Sequence, residues 1–88
     1  MKIEEYGLTT FKSTHYAIQA EKVLKENDIF FKTIPTPREV SHSCGLALLF
    51  TPESIDKVKI LMENEDIQVD GLYKFIKNGL KSSAEKIN

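Results

Sequence analysis

Eighty-eight residues bound a single small domain with one core of modest stability. Twelve basic against thirteen acidic residues leave a formal charge of −1, so there is no basic excess to neutralise nucleic-acid phosphates. The longest purely apolar run, residues 46–50, is far too short to span a bilayer, and no leader-type apolar segment follows Met1. One cysteine forms no internal disulfide and by itself builds no zinc or iron–sulfur centre; neither metal nor cofactor is expected, and a reducing cytoplasm is the expected location.

Residues 5–12 combine aromatic and β-branched side chains in a short run, the pattern of a first strand. Ser13 or Thr14 then offers a capping hydroxyl for a helix over 14–27. Its apolar stripe is Tyr16, Ala17, Ala20, Val23 and Leu24, with Glu21, Lys22, Lys25 and Glu26 on the other side. Residues 29–35 read as a second strand, stopped by Pro35 and Pro37. Residues 45–51 read as a third, apolar at nearly every position and therefore central. Thr51-Pro52-Glu53 is a strong helix start, with a capping hydroxyl, a first-turn proline and a carboxylate at the positive dipole end. That second helix, 52–65, places Ile55, Val58 and Met62 inward, with Leu61 at the margin. Residues 67–76 form a last strand in which Gly71 is a candidate bulge. The domain is expected to end near residue 76, leaving 77–88 as a mobile tail.

The order βαββαβ is the ferredoxin-like α+β plan: a four-stranded antiparallel sheet with two helices on one face. Under its usual strand order, the end of strand one, the start of helix one, the 2–3 loop and the start of strand three share one end of the sheet. Ser13, Thr14 and His15 should then approach Cys44. Apolar side chains alternate on both faces of strand three, so the face without helices is expected to be covered by the tail or by a second subunit, as a weak homodimer or a docking face.

Pro35 to Leu48 concentrates the chemistry. It holds Arg38 (the only arginine), His42 and the lone thiol, Cys44, beside Ser41, Ser43 and Gly45. This stretch, PTPREVSHSCGLAL, together with Phe11–Ala17 and Ala20-Glu21-Lys22, resembles a small bacterial family of selenium/sulfur carrier-like proteins over roughly residues 6 to 76. The resemblance implies a cysteine that transiently holds sulfur or selenium as a carrier rather than an enzyme. It also implies a protein donor such as a cysteine desulfurase, and an acceptor protein.

Such a cysteine needs access and a source of thiolate stabilisation, because a free thiol has a pKa near ~8.5. The dipole of the first helix, with the backbone of Ser13, Thr14 and His15, is one source; the Arg38 guanidinium is a second; His15 or His42 is a third. Gly45 leaves bare backbone beside the sulfur, and Ser41 and Ser43 add hydroxyl donors. Against this, free cysteine is commonly a small buried hydrophobe. Two other classes therefore stand beside the carrier: a regulatory module in which Arg38, Ser41 and Ser43 hold a small anion or metabolite while Cys44 only packs, and a structural subunit assembled through the open sheet face. No phosphate loop, paired metal ligands or seryl nucleophile motif appears.

Overall fold

The computed structural model describes residues 3–37, 40 and 45–87. Its strands are β1 (Ile3–Thr10), β2 (Phe31–Pro35), β3 (Leu46–Phe50), β4 (Gly71–Asn78) and β5 (Lys81–Lys86). Helix α1 covers Thr14–Glu26, and a 3₁₀ turn, Pro52–Ser54, leads into α2, Ile55–Glu63. All strands pair antiparallel in one sheet of order β2-β3-β1-β4-β5. The protein is therefore α+β with two helices, but the sheet has five strands where four were expected.

The fifth strand is the region expected to be a tail. Asn78 pairs with Lys81 across a two-residue turn whose first residue, Gly79, has φ 63°, a conformation open to glycine and the one that type II′ hairpins use. Lys81-Ser-Ser-Ala-Glu-Lys86 carries too little apolar surface to read as a strand. It forms because the long edge of β4 supplies a hydrogen-bonding partner from Tyr73 to Asn78.

Ser13 is the N-cap residue of α1 by its extended backbone (φ −153°, ψ 162°), yet its hydroxyl makes no capping bond. Nor does Thr51 cap a backbone N–H; its Oγ1 lies 3.3 Å from Ser54 Oγ, and the chain enters α2 through the 3₁₀ turn. Both helices end alike. Asp28 (φ 57°) and Glu65 (φ 63°) turn left-handed, and the next N–H, of Ile29 or Asp66, donates back to Leu24 or Leu61 at 2.9 Å. That turn ends α2 at Glu63 and delays β4 to Gly71, so Ile67 is buried from a loop and not from a strand.

Cross-strand register sorts the side chains onto two faces. Ala17, Ala20 and Leu24 of α1 and Val58 and Leu61 of α2 pack with Leu48, Phe50 and Leu72 in the main core. Leu61 is buried while Ile55 and Met62 are half-buried, a small rotation of the expected stripe. On the opposite face Leu8, Ala47 and Phe75 form a second cluster with Val40. No described helix lies over that side. Among the described residues, no helix is long and apolar enough to cross a membrane.

Glycines set two close approaches. Gly71 is no bulge: it pairs with Thr10, and the Tyr73 ring lies across it. Gly7 pairs with Phe50, and a Cβ on Gly7 would stand 2.7 Å from Phe50 Cδ2 and 2.8 Å from Ile55 Cγ1. Phe50 is buried and cannot swing away, so Gly7→Ala is expected to lower stability by roughly 1–3 kcal/mol, read from the urea midpoint. Thr9 shows the converse. Its side chain is buried between Leu48 and Leu72, and its Oγ1 has no hydrogen-bond partner. Thr9→Val keeps the shape and removes the unsatisfied hydroxyl, so it should raise the midpoint, by about 1 kcal/mol in stability.

Candidate functional site

Strand register brings three chain segments to one end of the sheet. β1 ends at Thr10 opposite Ala47, and two residues further along lie Lys12 on one chain and Gly45 on the other. Ser13 then opens α1. β2 ends at Pro35 opposite Leu46, and the Thr36 N–H donates to Gly45 O at 3.1 Å, closing the base of the 2–3 loop. Beside them Asp70 N donates to Thr10 O at 2.7 Å and ties the entry of β4 to the same end.

Of the site residues expected from the sequence, Ser13, Thr14, His15 and Gly45 therefore share this end. Cys44, Arg38, Ser41 and Ser43, with His42, lie outside the described residues. Thr14 and His15 are exposed on the first turn of α1, and the His15 ring sits edge-on to Tyr16 with centroids 5.6 Å apart. That turn holds no acidic residue, so no side-chain charge on it offsets the positive end of the helix dipole. Gly45 is exposed, and a Cβ there would meet none of the described residues within 4 Å.

Three residues at this end escaped the sequence reading. Lys12, exposed between β1 and α1, adds a cation; its place in the turn before the helix was the available signal. It lines a cleft of about 330 Å³ with Tyr16, Met62 and Val69, between the first turn of α1 and the chain that leaves α2. Thr10 is buried with its Oγ1 unpartnered, on the face of the sheet that carries Ala47. Val40, between β2 and β3, is buried in the cluster of Leu8, Ala47 and Phe75, which a valine flanked by polar residues does not announce. No group of three His, Cys, Asp or Glu side chains suited to a metal occurs among the described residues.

The family model described as "Putative Se/S carrier protein-like" matches residues 6–74, from β1 well into β4. The chain belongs to this family. The three stretches that carry the resemblance, Phe11–Ala17, Ala20-Glu21-Lys22 and Pro35–Leu48, fall inside the matched span, and Lys12, Val40 and Cys44 fall there too. No curated protein and no solved structure matches the chain.

Proposed function

We propose that the protein is a carrier of sulfur or selenium that holds the atom on Cys44 and passes it between protein partners. The observation that carries this reading is the family match over residues 6–74, which spans the one thiol of the chain. The placement of the described neighbours supports it. Gly45 is exposed at the end of the sheet where α1 presents its positive dipole end, which favours an anion, and Lys12 stands in the turn that leads into that helix. Arg38, Ser41, Ser43, Ser13, Thr14 and His15 are the supporting groups in this proposal. The cytoplasm is its proposed location, with a cysteine desulfurase as donor and an acceptor protein downstream.

The same reading extends to the fold. Strands β2-β3-β1-β4 with both helices on one face support a ferredoxin-like unit, to which β5 adds an outer edge.

The transfer balances without an external oxidant. The Cys44 thiolate attacks the terminal sulfur of the donor's persulfide; a new S–S bond forms at Cys44 as the donor's S–S bond breaks. The electron pair leaves on the donor cysteine as its thiolate, and the proton on the terminal sulfur travels with it. Incubation with a purified cysteine desulfurase and cysteine should add the mass of one sulfur atom to the intact chain, removable by dithiothreitol. A chain that gains no mass from this donor or from inorganic polysulfide overturns the carrier reading.

A further inference from the structure

The helix-free face of the sheet has an apolar centre with a basic border. Tyr6, Ile34, Leu49 and Phe75 line a groove of about 450 Å³, with Lys32 and Lys77 beside them. Phe30, immediately before β2, extends the apolar surface past Tyr6 and Leu49 and is 82% exposed. All five strands have been placed and both helices lie on the other side, so no described segment other than Val40 covers this face.

Two observations say what fits it. The first is charge. Among the described strand residues, register puts Lys32, Lys77 and Lys86 on this face against one acid, Glu4, in a chain whose acids outnumber its bases. Glu4 Oε2 is moreover engaged by the Tyr6 hydroxyl, which donates to it at 2.6 Å. That hydrogen bond, then burial, then the Glu4 charge hold the Tyr6 phenol above its ordinary pKa, so it stays a neutral donor. A second copy turned by a two-fold axis would bring the same lysine-bordered surface against itself, which like charges oppose. The second observation is continuity. Pro37 lines the groove and Val40 packs on the same face, so the groove starts at the stretch that carries Cys44.

We propose that this face docks the polypeptide that delivers sulfur or selenium to Cys44, and that the partner presents an acidic segment with apolar side chains. The proposal rests on the carrier reading and adds to it the surface used. The exposed Phe30 and the half-buried Tyr6, Ile34 and Leu49 supply contact area, and the lysines steer the approach and set its orientation.

The test compares two sulfur sources by the initial rate at which the intact chain gains one sulfur: purified cysteine desulfurase with cysteine, which must dock, and inorganic polysulfide, which need not. With polysulfide, the Cys44 thiolate bonds one sulfur as the adjoining S–S bond breaks, and the remaining sulfide anion leaves with the electron pair. Phe30→Ser and the double variant Lys32→Glu/Lys77→Glu alter only exposed side chains. Both should load from the desulfurase about tenfold more slowly or worse and from polysulfide at the wild-type rate. Added salt should slow the desulfurase reaction of the wild type and speed that of the charge-reversed variant, whose acidic face repels the acidic partner. Equal desulfurase rates in all three proteins overturn the docking assignment, as does a wild type that loads from polysulfide alone. A concentration-dependent dimer in sedimentation, lost in Phe30→Ser, overturns it in favour of a second copy. Failure of both sources to load Cys44 removes the carrier reading itself, and this proposal with it.

Discussion

Leu48→Ala should lower the unfolding free energy by about 2–5 kcal/mol, the range for deleting a fully buried leucine from a packed core. Leu48 has no exposed surface and lies in the middle of β3, opposite Thr9 on β1 and Thr33 on β2. Its side chain belongs to the cluster that joins Leu24 of α1, Val58 of α2 and Leu72 of β4. Truncation removes contacts to several elements at once, and strands paired on both sides cannot close around the cavity. Total stability of a domain this small is on the order of 5–15 kcal/mol, so the loss is a large fraction of it. The melting temperature should fall on the order of 10 °C or more. A midpoint that does not move in urea or on heating would show that β3 is not the centre of the core.

The second large effect is chemical. Cys44→Ser should abolish sulfur loading from either source, since an alcohol at neutral pH forms no persulfide, and should leave the unfolding midpoint within about 0.5 kcal/mol. The stability arm separates the two readings of the cysteine. A thiol that only fills space would leave a hydroxyl buried without a partner on substitution, costing about 1–3 kcal/mol, and would react with iodoacetamide only after unfolding. A carrier thiol should alkylate in the folded chain at neutral pH, faster than free cysteine. Slow native-state alkylation joined to a destabilised serine variant would refute the carrier role and leave the anion-binding module and the structural subunit.

Helical and apolar periodicity made much of the architecture legible. Ala17, Ala20 and Leu24 recur at helical spacing and are the buried face of α1, while Ile18 and Ile60 lie off the buried faces and are exposed. Leu46 to Phe50 read as a central strand because it is apolar on both sides, and it has β1 and β2 as neighbours. The approach of Ser13, Thr14 and His15 to Cys44 is expected from an assumed strand order; the register of β1 with β3 brings Gly45 to the same end as the start of α1, and Cys44 itself lies outside the described residues.

What local sequence determined here is the type of most elements, because hydrophobic spacing and turn residues act within a few residues of themselves. Asn78-Gly79 was such a turn signal, yet the strand beyond it has no apolar pattern; it exists because β4 offers an open edge, and an edge belongs to the assembled sheet. Gly7 reads as an ordinary glycine in a strand until Phe50 is laid across it from β3, forty-three residues away. Likewise Tyr6, Lys32, Phe75 and Lys77 sit on three separate strands with no common motif, and antiparallel register alone gathers them onto one basic, apolar face. Cross-strand neighbours are chosen by long-range pairing, so tertiary structure alone decided the fifth strand, the Gly7 contact and which residues share the lysine-bordered face.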